Sequence, residues 1–173
     1  MKSKSKHLRR LGYLSLGLLL SAILLYLLFL RPTPIKVGGF TSSADENTMI
    51  FEVMNKGFAD VKLLDVRVND GMKPAKAELG VSYSLHLVGG EGLDEDPDIQ
   101  FVDIREVPLK PELMPDEKRA ALNQGTRIPL NYGVRLYNDE PITQIEVKYK
   151  YGGITFTRKI PMGRFFRDNV SSK

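Results

Sequence analysis

Alternation of apolar and polar residues with a period of two is the feature that most constrains the fold of this chain. Successive side chains of a strand point to opposite faces of the sheet, so a strand with one buried face gives this pattern. The clearest run is at residues 145–151, where Ile, Val and two Tyr alternate with Glu and two Lys. Comparable runs lie at residues 49–54, 64–69, 81–87, 128–136 and 154–160.

Glycine and polar residues separate these runs, and Gly152 followed by Gly153 predicts a tight hairpin over residues 143–161. One short helix is expected over residues 115–124, with Gly125 as its cap. A helical pattern does not follow each strand, which disfavours a parallel α/β fold.

Two further strands are expected, a short one near residues 35–40 and an irregular one over residues 99–107. The chain has no cysteine, so disulfides and thiolate metal sites are excluded and apolar burial has to stabilise the core. We therefore predict a mainly β fold: an antiparallel β-sandwich of seven or eight strands over residues 35–163.

The first thirty residues have a different character. Residues 11–30 carry no charge, and twenty helical residues are long enough to span the hydrocarbon core of a bilayer, which is about 30 Å thick. The run is longer than the apolar core of a signal peptide and lacks a small-x-small cleavage site, which favours an uncleaved signal anchor over a cleaved signal. Basic residues before the run predict a cytoplasmic N-terminus and an extracellular C-terminal domain on a single-pass cell-membrane protein: Lys2, Lys4, Lys6, Arg9 and Arg10.

The remaining segments follow from this division. Residues 1–10 are expected to be a basic cytoplasmic tip, residues 31–34 a proline-rich spacer and residues 164–173 a C-terminal tail. Gly17 and Ser21 have the small-xxx-small spacing that lets helices approach closely, which leaves open a helix-mediated dimer.

The sequence also resembles known proteins. The pattern F-x-V-x-N-x-G at residues 51–57, followed by V-x-L-x3-R-x-N at residues 61–69, resembles the opening hairpin of immunoglobulin-like or fibronectin-like modules. With its N-terminal segment, the whole chain resembles the uncharacterised single-pass envelope proteins of Gram-positive bacteria. The resemblance implies an immunoglobulin-like fold and a bacterial envelope location, and it implies no functional residue.

Net charge argues against one class of partner. The chain carries a formal charge of +4, but five of its 25 basic residues and none of its 21 acidic residues lie in the first thirty. The remainder therefore has a net charge of −1, without the concentrated basic patch that nucleic-acid binding needs. Nucleic acid is not an expected partner.

Catalytic and metal-binding candidates are few. His86 alternates with Ser82 and Ser84 on one predicted strand, but no strained nucleophile turn of the GxSxG type accompanies them, so a solvated histidine is favoured. We expect no catalytic residue and no cofactor.

A loop of dense negative charge is the only metal candidate. Asp94, Asp96 and Asp98 have the spacing of a calcium loop, but Ile99 and Arg105 occupy the positions where an EF-hand requires Gly and Glu. A solvated acidic loop is therefore favoured over a low-affinity calcium site.

Four residues near the C-terminus have two interpretations, an interaction tail or the end of the last strand: Arg164, Phe165, Phe166 and Arg167. Taken together, the sequence predicts a membrane-anchored, extracytoplasmic, non-catalytic interaction domain, whose partners are the lipid bilayer and another envelope protein or a wall polymer. Two alternatives remain open: an envelope enzyme or enzyme subunit that uses carboxylates, and a metal or small-molecule sensor.

Overall fold

The computed structural model describes most of the chain: residues 2–29, 33–43, 46–90 and 92–161. It divides into two compact units, Met1–Thr33 and Pro34–Lys173. The first unit contains the helix α1, Lys2–Phe29.

Helix α1 corrects the prediction of a membrane span. It begins at Lys2 and not at Leu11, so the basic residues expected before the span are part of the helix itself. Within the described residues, no helix has both the length and the apolar character needed to cross a membrane.

The predictions of a transmembrane helix over residues 11–30, of a single-pass signal anchor, and of a cytoplasmic N-terminus with an extracellular C-terminal domain are therefore wrong. The orientation inferred from the basic residues depended on that span: Lys2, Lys4, Lys6, Arg9 and Arg10. The helix-mediated dimer, inferred from Gly17 and Ser21, stays a prediction.

The second unit is mainly β, as predicted, with eight strands and one short helix, α2. The strands are β1 (Ile35–Ser42), β2 (Thr48–Asn55), β3 (Val61–Val68), β4 (Lys76–Ser82), β5 (Ile99–Asp103), β6 (Asn131–Tyr137), β7 (Gln144–Tyr151) and β8 (Ile154–Pro161), and α2 is Pro115–Asn123.

The strands form two antiparallel sheets. One has five strands in the order β1-β2-β6-β4-β5, and the other has three in the order β3-β7-β8. When the edge strand β5 is set aside, this is the order ABED and CFG of constant-type immunoglobulin domains. In that correspondence the β2–β3 loop is the B–C loop and the β7–β8 turn is the F–G loop.

Side chains from both sheets share one buried core. The inward positions alternate along each strand, as the period of two predicts, and the two inner faces pack against each other as in a sandwich. Eleven side chains from the strands illustrate this core: Met49, Phe51, Val53, Val61, Leu63, Leu79, Val134, Leu136, Ile145, Val147 and Tyr149.

The predicted hairpin and helix are both present. Strands β7 and β8 pair from Gln144 to Pro161 without a register shift, and the turn residues Gly152 and Gly153 have φ angles of +55° and +85°. Two positive φ angles are typical of the type I′ turn that matches strand twist. Gly125 has a φ of +67°, the left-handed conformation that ends many helices.

One predicted strand is displaced along the chain. The alternation covers residues 81–87, but β4 is Lys76–Ser82, and Leu85 and Leu87 are exposed. The Ser82 hydroxyl donates a hydrogen bond to the Ser84 carbonyl (3.2 Å), an interaction that competes with the strand ladder. The chain therefore leaves the sheet where the pattern alone predicts that it continues.

Candidate binding surface

The β4–β5 loop, residues 83–98, folds back over the outer face of the five-stranded sheet. Gly80 and Gly133 lie directly opposite each other on β4 and β6, and the side chain of Val88 fills the space above them. A Cβ at Gly80 would lie 2.5 Å from Val88 Cγ1, and one at Gly133 would lie 2.7 Å from Val88 Cβ. Val88, Leu93, Ile50 and Ile99 form a second, smaller apolar cluster on this face.

A buried arginine holds the same loop by charge. Arg135 is 7% exposed, and its guanidinium lies 3.4 Å from the centroid of the Phe101 ring. Its Nη1 donates to both carboxylate oxygens of Asp94 (2.9 and 2.8 Å), and its Nε and Nη2 donate to Glu78 (3.2 and 3.0 Å). The hydrogen bond from Arg135 holds the pKa of Asp94 below its ordinary value of 3.8.

Two of the three aspartates of the calcium hypothesis, Asp94 and Asp96, have different side-chain partners. Asp94 contacts Arg135, while Asp96 Oδ2 lies 2.9 Å from His86 Nδ1 and its Oδ1 accepts the backbone N–H of Asp98 (2.9 Å). In the part of the chain that the structure describes, no three His, Cys, Asp or Glu side chains are grouped as metal ligands would be.

The serines and the histidine are close in sequence but do not form a catalytic array. The Ser82 and Ser84 hydroxyls lie 3.3 Å apart, and Ser84 Oγ accepts the backbone N–H of His86 (3.2 Å). Among the described hydrogen bonds, the only one made by the His86 ring is to Asp96. A triad requires a serine hydroxyl on the other ring nitrogen.

A cleft of about 220 Å³ opens between the middle of β3 and the C-terminal end of β5. Its two carboxylates are paired with arginines: Asp65 with Arg67 (2.9 Å) and Asp103 with Arg105 (3.0 Å). The hydrogen bonds from Arg105 hold the pKa of Asp103 below its ordinary value, so this carboxyl is ionised near neutral pH. Acid catalysis instead requires a carboxyl with a raised pKa, and small-molecule pockets are larger, about 300 Å³ or more.

The β2–β3 loop is held by a buried amide. Asn55 is 1% exposed, and its Nδ2 donates to the carbonyls of Ala59 (2.8 Å) and Leu109 (2.9 Å). Its Oδ1 accepts the backbone N–H of Gly57 (2.9 Å). These three hydrogen bonds satisfy the amide and fix a loop that has no regular backbone ladder of its own.

An exposed aromatic ring stands at the tip of this loop. Phe58 is 63% exposed and packs edge-on against Tyr151, the last residue of β7, with ring centroids 5.6 Å apart. The Tyr151 hydroxyl accepts the backbone N–H of Phe58 (3.3 Å), and a Cβ at Gly57 would lie 2.7 Å from that hydroxyl oxygen. Ile154, across the β7–β8 turn, is 45% exposed. We call Phe58, Ile154 and the turn between β7 and β8 the loop end.

Sequence reasoning noted the pattern of Asn55 and Gly57 but gave it no functional residue. It missed Phe58, because nothing in the local sequence shows that the tip of this loop packs on a tyrosine 93 positions away. The tail residues Arg164, Phe165, Phe166 and Arg167 lie outside the described residues. No protein-family model, curated protein or solved structure matches this chain.

Proposed function

We propose that the β-sandwich is a non-catalytic protein-binding domain and that the loop end is its binding surface. The observation that carries the proposal is Phe58, a large aromatic side chain 63% exposed on a loop that is held rigidly. Aromatic residues are enriched at protein interfaces and among the residues that dominate binding energy.

Rigidity of the loop supports this proposal. Association costs free energy for every segment that is ordered on binding, so an anchor already held in place loses less. Phe58 is fixed on one side by Tyr151, and its loop is fixed by the hydrogen bonds of Asn55. By analogy of fold, the B–C and F–G loops are also recognition loops in variable immunoglobulin domains.

An enzyme that uses carboxylates is the weaker alternative. The carboxylates of the cleft beside β3 each have an arginine partner, so neither is arranged as a proton donor. The acidic loop likewise uses Asp94 and Asp96 to hold its own structure. These contacts favour binding over catalysis as the function of the domain.

Site-specific photocrosslinking of the full chain in its native cells tests the proposal. A photoreactive phenylalanine at position 58 is expected to give a discrete adduct with one protein. Met72 provides a matched control, because it is an apolar residue 47% exposed in the turn after β3, at the opposite end of the sandwich.

Substitution supplies the second readout. Phe58→Ala is expected to weaken binding of the crosslinked protein at least tenfold, whereas Met72→Ala leaves it unchanged. The melting temperature of Phe58→Ala should fall only slightly, because the ring is 63% exposed and an edge-on contact such as that with Tyr151 contributes about 0.5–1.5 kcal/mol. Equal adducts from positions 58 and 72, or undiminished binding by Phe58→Ala, would contradict the proposal.

A further inference from the structure

A cluster of lysines lies on the outer face of the three-stranded sheet, next to the loop end. Lys62 on β3 and Lys150 on β7 are directly opposite each other in the register, one position from the end of the sheet. Lys148 is two residues before Lys150 and therefore lies on the same face. All three are exposed. We call these three residues the lysine face.

The pairing of Lys62 with Lys150 is unfavourable for the fold. Side chains directly opposite each other in an antiparallel pair have Cβ atoms about 4.5–5.5 Å apart, and like charges at this distance are destabilising. A residue choice that opposes folding is often explained by function.

Neighbouring charges do not neutralise the lysine face. Asp65 lies opposite Lys148 in the register, but its carboxylate is paired with Arg67 (2.9 Å). The remaining acid on this face, Glu146, lies 3.7 Å from Lys159.

In the β2–β3 loop, the carboxylate of Asp60 is paired with Lys110 (2.6 Å). Within the described part of the chain, none of the three lysines of the lysine face is in an ion pair.

We infer that the partner of this domain presents an acidic segment of protein that docks on the lysine face. The inference rests on the proposed function, since the apolar loop end beside the lysines fits a protein and not a simple polymer of phosphate. Lys148 and Lys150 are about 7 Å apart along the strand, the spacing of alternate side chains in an extended acidic peptide.

Two other polyanions fit this face less well. Proteins that bind single-stranded nucleic acid combine basic residues with aromatic side chains on which the bases stack. The outward positions of β8 opposite Lys150 and Lys148 are instead threonines, Thr155 and Thr157, so successive bases would find no row of rings along the sheet. The exposed ring of Phe58 lies beyond the lysines, at the loop end. Polyphosphate has the negative charge but none of the apolar groups that would contact the exposed side chains of the loop end beside the lysines.

Binding of a fluorescent decaglutamate peptide to the full chain tests the inference. Binding is expected to weaken as salt is raised, and Lys62→Glu is expected to weaken it at least fivefold. Lys36→Glu is the matched control, because it makes the same change in net charge at an exposed lysine on β1, in the other sheet. Equal losses in the two variants would overturn the inference.

Two further measurements distinguish a loss of binding from a loss of folding and identify the class of partner. Lys62→Glu places a glutamate opposite Lys150, so its melting temperature should rise, and loss of binding cannot then be attributed to unfolding. Tighter binding of polyphosphate or of a single-stranded oligonucleotide than of decaglutamate, with the same dependence on Lys62, would overturn the acidic protein segment.

Failure of this inference is distinguishable from failure of the proposed function. If decaglutamate still binds Phe58→Ala and position 58 gives no crosslink, the proposal that the loop end is the binding surface would be contradicted, and the inference about the lysine face would stand. A crosslink from position 58 whose partner binds Lys62→Glu as tightly as the unmodified protein would contradict the lysine face alone.

Discussion

A single buried amide, that of Asn55, organises the loop that presents Phe58. It makes three hydrogen bonds, and two of them go to backbone carbonyls outside the β2 ladder. One is the carbonyl of Ala59 in the β2–β3 loop, and the other is that of Leu109, 54 residues further along the chain. At the scale of one residue, this arrangement predicts a stability effect much larger than the size of the side chain suggests.

Asn55→Ala is expected to destabilise the domain by about 2–3 kcal/mol, because it breaks all three bonds and removes the Asn55 donor from the Ala59 carbonyl, while the Leu109 carbonyl keeps the N–H of Val61. Urea unfolding at equilibrium measures the change. Asn123→Ala is the control: Asn123 is exposed at the end of α2, and its substitution should change stability by less than about 0.5 kcal/mol. Similar values for the two variants would show that the Asn55 bonds do not hold the loop.

The contact between Asp94 and Arg135 has a defined pH dependence. Because the pKa of Asp94 is lowered in the folded state, its contribution is complete above the ordinary pKa of 3.8 and is lost as the pH falls through the lower pKa of the folded state. Asp94→Asn should therefore melt at a lower temperature than the unmodified protein at pH 7, and the difference should shrink as the pH falls below 3.8 and through the lowered pKa of Asp94.

Melting temperatures of both proteins from pH 7 to pH 2 measure this effect. Asp139→Asn serves as the control, since Asp139 is exposed in the β6–β7 connection. A difference between Asp94→Asn and the unmodified protein that stays constant down to pH 2 would mean that the charge of Asp94 does not stabilise the loop.

At the scale of an element, the β4–β5 loop is a cover on the five-stranded sheet and is not part of its ladder. Two kinds of contact hold it: Val88 in the space left by Gly80 and Gly133, and Asp94 on Arg135. The two glycines are needed for close approach and not for an unusual backbone conformation, because neither has a positive φ angle.

Gly133→Ala is expected to release this loop, since the new Cβ would lie 2.7 Å from both Val88 Cβ and the Val88 carbonyl oxygen. The rate of limited proteolysis within residues 83–98 measures the release and should rise at least tenfold. Gly39→Ala, on β1, is the matched control, because a Cβ there meets nothing within 4 Å. Equal proteolysis of the two variants would contradict the role given to Val88.

The strands were the most predictable elements, and the contacts between distant elements were the least. The period of two located the inward residues of β2 and β7, because alternation is a local property that burial on one face imposes. It misplaced β4, predicted at residues 81–87, because the chain leaves the sheet after Ser82, whose hydroxyl donates to the Ser84 carbonyl, and Val88 packs over Gly80 and Gly133.

The candidate site was less predictable for a physical reason. Lys62 and Lys150 form a pair only through the register of β3 with β7, and the sequence contains no signal for that register. The local sequence gives no sign that Arg135 is buried, because the groups that bury it come from β4, β5 and the β4–β5 loop.

At the scale of the whole domain, one core is shared by two sheets, so the sheets should unfold together. Leu63→Ala, in the three-stranded sheet, is expected to reduce stability by about 2–5 kcal/mol. Amide hydrogen exchange should then accelerate to the same extent in β2 and β6 as in β3 and β7. Acceleration confined to the three-stranded sheet would show that the sheets are separate cooperative units.

The first and last strands have a mechanical consequence. β1 starts at the loop end, where Ile35 pairs with Asn55, whereas β8 starts at that end and finishes at the opposite one, where Pro161 pairs with Gln144. Tension applied between residues 35 and 161 therefore acts along the strands, and the hydrogen bonds of each pair bear the load together instead of opening one after another. Arg158, which donates to the Ile35 carbonyl, ties the two loaded strands to each other. Pulling on the domain through residues 35 and 161 therefore loads the paired strands in shear.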